Sequence, residues 1–322
     1  MSELQWEDTV CDGCGSSQSD YLFEGPDRLL NLPGQFRMVR CQECGLIRQQ
    51  PRLAWESLKN YYTEAYAPYT PLLREEPSVW RRLDKRYGMW KQLRLVERFQ
   101  HGGRLLDIGC GTGHFLEEAK LSRRWEISGV EPNATAAAYA RQALPANIIE
   151  GRFSDTTFQP NSFDVITMWN VLEHVSYPLA DLRRARALLR DQGWLVFTVP
   201  NVDGLEARLF GPYWVGWDLP RHLYLFPRAQ LRTLLNAIGF QLVDMRCFSS
   251  SYIFLKHNLE FWSQTWNPPY AAWRNSILQL YLSAPIRIGL SLPLWLLDRL
   301  KLTSVITIVA RKQNIPKRDS SC

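Results

Sequence analysis

The chain reads as an α/β protein built on a doubly wound sheet and preceded by a small four-cysteine module. Stretches of strand and helix character alternate from residue 104 to residue 247, the pattern of parallel strands joined by crossover helices. One junction, Arg104-Leu-Leu-Asp-Ile-Gly-Cys-Gly-Thr-Gly-His114, runs from an apolar strand through three glycines into a helix. Glycine there permits unusual φ/ψ and lets a ligand approach the helix N-terminus closely. Two Cys-x-x-Cys pairs lie upstream.

Composition sets the bounds. A length of 322 residues suggests about two domains, and 46% hydrophobic residues are ample for a core. The net charge of +6 is mild, without the dense basic stripe of a nucleic-acid binder. The N-terminus, MSELQWEDTV, lacks the apolar core of a signal peptide, so a cytoplasmic protein is expected.

Residues 1–72 form the first unit. Cys11-Asp-Gly-Cys14-Gly15 and Cys41-Gln-Glu-Cys44-Gly45 are separated by 26 residues. In a reducing compartment such pairs argue for metal rather than disulfides. Four thiolates complete the tetrahedral shell of structural zinc, giving a zinc-ribbon-like module with no open position for chemistry. Such binding contributes on the order of 10 kcal/mol to a segment too small for its own core. The gap exceeds the usual spacing of about 15–20 residues, leaving room for small strands at Tyr21–Phe23 and Phe36–Val39. Tyr61 to Tyr69 holds four tyrosines in nine residues, suited to a pocket lid or to an aromatic packing patch. Residues 73–100 link onward through an amphipathic helix, with Leu83, Tyr87, Trp90, Leu93, Val96 and Phe99 at helical spacing.

Residues 101–313 make the main domain. Strands are expected at 104–108, 125–130, 147–150, 163–168, 193–199 and 240–247, and helices at 114–122, 133–143, 178–190 and 227–238. Gly193 and Gly239 are positioned to close helices just before strands. Ligands of such sheets bind at the carboxyl ends of the strands. A dinucleotide fingerprint needs its third glycine at position 114, which is His114. Glu131 lies 18 residues after Gly113, where a carboxylate accepts ribose hydroxyls.

Asp107-x-Gly109-x-Gly111-x-Gly113, Glu131-Pro132, Phe163-Asp-Val-Ile166, Leu172-Glu-His174 and Gly193-Trp-Leu-Val-Phe-Thr-Val-Pro-Asn201 follow one another in order. This series resembles the successive motifs of class I S-adenosylmethionine-dependent methyltransferases, which implies a seven-stranded Rossmann-like methyltransferase sheet. With the cysteine module in front, the chain is more specifically similar to methyltransferases of sugar and cell-surface polysaccharide biosynthesis. Leu172-Glu-His174 is also similar to the ubiquinone-biosynthesis O-methyltransferases. The resemblance implies S-adenosylmethionine as cofactor, with Gly109, Gly111 and Gly113 behind its methionine part and Asp107 helping to hold its amino group. By the same resemblance Glu131 takes the ribose, Arg152 and Phe153 flank the adenine, and Asn170 lies beside the methionyl moiety through its backbone. Arg152 departs from the acidic residue frequent in the family.

A methyl on a sulfonium is already activated, so alignment is the main task, worth about 7–11 kcal/mol. A hydroxyl or carbon nucleophile also needs its proton removed, a contribution of about 10²–10⁴-fold. Of the five histidines, His101 and His257 lie outside the motifs and His114 is expected to pack. His174, at the end of the fourth strand, and His222, in Leu219-Pro-Arg-His-Leu-Tyr-Leu-Phe226, are the catalytic candidates. Sugar C-methyltransferases of similar layout carry a comparable histidine–aromatic segment, often with Glu where this chain has Arg221. Arg221 suits a phosphate or carboxylate, and Tyr213 and Trp217, with Trp214, offer pocket walls, so these are candidate substrate-binding residues.

Ser304 to Arg311 reads as a seventh strand, antiparallel beside the sixth. Residues 255–301 between them are an apolar helical insertion, and 275–297 carry one charge, Arg287. The length suits a membrane span, but Pro285, Pro293 and Arg287 oppose one. Flanking strands in one sheet exclude a single crossing. The insertion is then a packed lid or dimer contact, or a peripheral membrane contact at the inner face anchored by Trp262, Trp266, Trp273 and Trp295. Residues 314–322 are a polar tail. The expected protein is a cytoplasmic methyltransferase acting on a small polar acceptor, a nucleotide-linked or glycan sugar. The alternatives are an O-methyltransferase on a quinone or lipid-like phenol, and a non-catalytic cofactor-binding scaffold in a polysaccharide assembly complex.

Overall fold

A computed structural model describes residues 4–63, 79–247, 251–266, 270–281 and 283–314. Tyr66 and Tyr69 of the tyrosine-rich segment, and the tail from residue 315 onward, lie outside the described residues.

The N-terminal part holds strands β1 (Trp6–Glu7), β2 (Ser19–Gly25), β3 (Phe36–Cys41), β4 (Ile47–Gln49) and β5 (Arg52–Leu53), then helix α1 (Trp55–Leu58). β2, β3 and β4 form an antiparallel meander that contains both expected strands. Its inward residues Phe36, Met38 and Ile47 are buried in one core with Ile166 and Phe197 of the main sheet. Helix α2 (Val79–Glu97) follows. Its apolar stripe is buried at Leu93 and Val96, whereas Leu83, Tyr87 and Trp90 remain exposed, so only the last turns join the core.

The main domain runs β6 (Gly103–Ile108), α3 (His114–Leu121), β7 (Trp125–Glu131), α4 (Ala134–Ala143), β8 (Asn147–Glu150), β9 (Phe163–Trp169), α5 (Pro178–Leu188) and β10 (Leu189–Pro200). It continues with α6 (Leu205–Phe210), β11 (Tyr224–Leu225), α7 (Arg228–Ala237), β12 (Phe240–Arg246), α8 (Ser251–Ser263), α9 (Tyr270–Tyr281), α10 (Ala284–Arg299) and β13 (Val305–Lys312). The seven-stranded sheet has the order β12-β13-β10-β9-β6-β7-β8. β13 is antiparallel to β10 and to β12, while the pairs from β10 to β8 are parallel. Leu105, Leu106, Val165, Ile166, Val196 and Phe197 are all fully buried, as strands covered on both faces require. The order reverses between β6 and β9, and that switch point opens the ligand crevice.

The structure corrects one local expectation. Gly193 does not close a helix, because α5 ends at Leu188 and β10 already begins at Leu189. The register against β9 shifts between Leu189 and Trp194, and Gly193 sits in that irregularity. A Cβ there would come within 2.9 Å of the Arg190 carbonyl oxygen.

β11 leaves the main sheet and pairs with β4, extending the N-terminal sheet to β11-β4-β3-β2. In the insertion, α9 and α10 are separate helices, and α10 runs through Pro293. Among the described residues no helix is long and apolar enough to cross a membrane. Buried Asn258 of α8 donates to Glu206 and accepts from the Val215 N–H, fastening the insertion to the main domain.

Candidate active site

A cavity of about 910 Å³ opens at the carboxyl ends of β6, β7 and β9. Ile108, Gly109, Gly111, Val130 and Glu131 line it, as do Glu173, His174 and His222. Trp55 and Tyr62 reach it from the N-terminal unit and Ile253 and Phe254 from α8, so three parts of the chain build one chamber.

Gly109, Gly111 and Gly113 adopt φ of +69°, +54° and +89°, a region side chains disfavour. A Cβ on Gly109 would lie 2.5 Å from Cγ2 of Val171, and one on Gly113 would meet Leu144 at 3.0 Å. The cradle therefore exposes bare backbone at Gly109 and Gly111, while Gly113 lets α3 pack against α4. Glu131 ends β7 with its carboxylate accepting from the N–H groups of Gly111 and Asn133, both at 2.8 Å. Burial nonetheless pushes its pKa up. Asp107 lies behind the wall, accepting from the Thr167 hydroxyl at 2.6 Å and pushed up to about 8 by burial. Asn170 lines the cavity in a left-handed conformation, φ +55°. Phe153 is buried on the wall, and Arg152 lines the cavity beside it with its guanidinium paired to Asp155, 3.0 Å away. Bare glycine backbone beside a buried carboxylate fits a nucleoside with ribose hydroxyls.

A second group of polar side chains gathers in the same chamber. The rings of His174 and His222 meet edge to face with centroids 4.6 Å apart. Burial lowers both pKa values, that of His174 to about 3 with His222 beside it adding to the effect, so both rings are neutral near pH 7. Nδ1 of His222 lies 2.8 Å from the Gly216 carbonyl, and Nδ1 of His174 lies 3.0 Å from the Arg221 carbonyl and 3.1 Å from the Tyr62 hydroxyl. Glu173 is fully buried beside them, and burial pushes its carboxyl up to about 8. Glu173 was missed as a site residue, and Tyr62 is the described tyrosine of the Tyr61–Tyr69 stretch that reaches the cavity. Leu172-Glu-His174 did carry a signal for Glu173, since a carboxylate follows a core leucine and precedes a candidate histidine.

The three substrate-binding candidates are placed elsewhere. Arg221 is fully buried, and its guanidinium donates to both oxygens of Asp27 and to Asp218. It is a tie between the N-terminal unit and the loop carrying His222, because all that charge is already met. Trp217 packs on Phe23 and donates to the Gly211 carbonyl, and Tyr213 carries the Arg28 guanidinium on its ring face. Neither belongs to the cavity lining. His257, set aside on sequence, does line the cavity and bonds Glu260.

His222 is also held through its backbone. The buried Gln49 amide at the end of β4 donates to the carbonyls of Pro220 and His222, at 2.8 and 2.7 Å. Gln49→Leu leaves both carbonyls without this donor and is expected to cost about 1–3 kcal/mol, read as a lowered urea midpoint at unchanged slope. An unchanged midpoint would remove Gln49 from this role.

The four cysteines converge as their spacing suggests. Sγ of Cys11 lies 3.5 Å from that of Cys44, and Cys14 stands at the same distance from Cys41. All four sulfurs fall within 4.8 Å of one another. Asp12, inside the first pair, accepts from the Leu179 N–H at the start of α5, so this corner is docked against the main domain.

Comparison with known proteins agrees with the cradle. A family model described as a methyltransferase domain matches residues 79–245. The chain is 28% identical over 175 residues to the ubiquinone biosynthesis O-methyltransferase of Actinobacillus pleuropneumoniae, covering 50% of this chain and 74% of that protein. To the protein of the same name from Burkholderia thailandensis it is 25% identical over 163 residues, covering 45% and 67%. A solved SAM-dependent methyltransferase from Archaeoglobus fulgidus aligns with a TM-score of 0.46 at 17% identity, over 71% of this chain and 94% of that one. Since the family model spans more than half of the chain, including the glycine cradle and Glu131, the protein belongs to the methyltransferase domain family and is a class I S-adenosylmethionine-dependent methyltransferase.

Proposed function

We propose that the enzyme methylates a hydroxyl of an aromatic, lipid-like small molecule, a phenol or hydroquinone. The observation that carries this reading is the single chamber joining the glycine cradle to Glu173, His174 and His222. Its remaining walls are largely aromatic and aliphatic, with Trp55, Tyr62, Val171, Tyr177, Ile253 and Phe254, and such surfaces take an apolar ring. The names of the relatives fit the same acceptor class.

Bound S-adenosylmethionine supplies a methyl group activated on sulfur. Gly109 and Gly111 would back its methionine part, Glu131 would accept from the ribose hydroxyls, and Phe153 would pack beside the adenine. Asn170 presents its backbone to the methionyl end. The acceptor hydroxyl lies against the imidazoles, where Nε2 of His222 takes its proton. Desolvation by the surrounding aromatic walls sharpens these polar contacts.

His222→Ala is expected to lower single-turnover methyl transfer by about a hundredfold or more while leaving S-adenosylmethionine affinity unchanged by calorimetry. Near-normal transfer would remove His222 from the acceptor side. Transfer of a labelled methyl group to a panel of alkylated catechols, hydroquinones and nucleotide sugars tests the acceptor. Methylation of sugars alone overturns the phenol reading, and no transfer to any member favours a binding scaffold. The sugar reading keeps one support, the polar wall residues Glu7, Arg52 and Asp181, which suit hydroxyl-rich ligands.

Cys11, Cys14, Cys41 and Cys44 hold a structural zinc ion on this reading. Sulfurs on a tetrahedron of about 2.3 Å bonds stand roughly 3.8 Å apart, close to the spacing found. The ion fixes the sheet whose outer strand β11 follows His222. Glu7, Leu29, Arg52, Trp55 and Tyr62 thus supply one wall of the acceptor pocket from the N-terminal unit, with 101–313 as the catalytic domain and α8 as its cover.

A further inference from the structure

Glu173, His174 and His222 each present one atom able to bind a metal within 4.8 Å of the other two. Glu173 has no exposed surface, and neither carboxylate oxygen has a hydrogen-bond partner among the described residues. A buried carboxylate in that condition is costly unless a donor or a cation meets it. The two rings are prepared in matching fashion. Nδ1 of His222 faces the Gly216 carbonyl and Nδ1 of His174 faces the Arg221 carbonyl. A carbonyl can only accept, so each ring carries its proton on Nδ1 and its lone pair on Nε2. A backbone carbonyl on the remote ring N–H is the contact that orients metal-bound imidazoles. Asp218, 3.8 Å from Nε2 of His222, adds negative charge at the edge of the group.

We propose that Glu173, His174 and His222 form a divalent-cation site facing the acceptor. Two imidazoles and one carboxylate with positions left open suit Mn²⁺, Fe²⁺ or Zn²⁺ better than the all-oxygen preferences of Mg²⁺ and Ca²⁺. Bonds of about 2.0–2.2 Å would draw the three ligand atoms inward from separations of up to 4.8 Å. The proposal rests on the O-methyl transfer reading and changes the route of the proton. The cation acidifies the acceptor hydroxyl, whose proton passes to water instead of to Nε2 of His222. The oxygen lone pair then forms the oxygen–carbon bond while the carbon–sulfur bond breaks. That electron pair stays on sulfur, so the sulfonium charge is cancelled and a neutral methyl ether and a thioether result.

The test uses the full chain with its thiolate-bound zinc in place, titrated with Mn²⁺ and followed by electron paramagnetic resonance, because Mn²⁺ is a poor partner for thiolates. The wild type is expected to bind one Mn²⁺. Glu173→Gln and His222→Asn should each weaken that binding at least about tenfold with S-adenosylmethionine affinity retained, which also verifies the fold. Chelator treatment that leaves the zinc bound should slow single-turnover transfer to a catechol at least about tenfold, and Mn²⁺ should restore it. Equal Mn²⁺ binding by wild type and both variants overturns the site. Transfer indifferent to chelator and Mn²⁺ overturns the proposal but leaves O-methyl transfer by His222 standing. Site-specific Mn²⁺ binding without transfer to any phenol keeps the site and overturns the phenol acceptor.

Discussion

Gly111→Val is expected to abolish S-adenosylmethionine binding, with affinity falling at least about a hundredfold, close to 2.8 kcal/mol. Two effects add. Gly111 has φ +54°, where a β-branched residue costs about 1–2 kcal/mol. Its backbone also lines the cavity and donates to Glu131 at 2.8 Å, so a valine puts methyl groups into the cradle and shifts the carboxylate proposed to take the ribose. Titration calorimetry with far-ultraviolet circular dichroism as the fold control reads the result. Affinity retained within threefold, a difference of about 0.7 kcal/mol, would mean that the cradle lies elsewhere.

Asp27→Ala should destabilise the protein by about 3–5 kcal/mol, the effect of leaving a buried charge without its partner. Asp27 and Arg221 have fully buried side chains joined by two hydrogen bonds, at 2.7 and 3.0 Å. Asp27 also accepts from the N–H groups of Leu29 and Leu30. Removing it takes away one of the two carboxylates, Asp27 and Asp218, that meet the guanidinium among the described residues, and frees the loop between β2 and β3. The guanidinium-chloride midpoint measures the loss, and Asp27→Asn, which keeps shape and the two turn bonds, should fall between wild type and alanine. A midpoint unmoved by Asp27→Ala would show that the pair contributes nothing net.

Local features were legible because their physics is local. The run from Leu105 to Gly113 is an apolar strand followed by residues that tolerate φ > 0, and both properties reside in the residues themselves. The cysteine pairs were legible for the same reason: their spacing brings two sulfurs together in a tight turn, with Gly15 and Gly45 at φ +78° and +74°. Gly193 misled because a glycine before a strand satisfies both a helix terminator and a strand irregularity. The pairing of β10 with β9 chose between them.

Arg221 shows the other limit. Beside a candidate histidine, an arginine suits a bound anion equally well as a protein carboxylate, and its partner Asp27 lies 194 positions away. Tyr213 and Trp217 were aromatic in a loop expected near the acceptor, yet the loop turns them toward Arg28 and Phe23 and leaves Val215, Asp218 and His222 on the cavity.

By itself the sequence determined the strand and helix alternation, the glycine cradle with Glu131, and the two cysteine pairs, since each is written in neighbouring residues. Only the tertiary structure decided what lines the chamber beside the cradle. Tyr62 reaches His174 across 112 positions, His174 meets His222 across a loop, and α8 covers them from beyond β12. Those encounters depend on which strand pairs with β4, a choice made by long-range packing that no local spacing encodes.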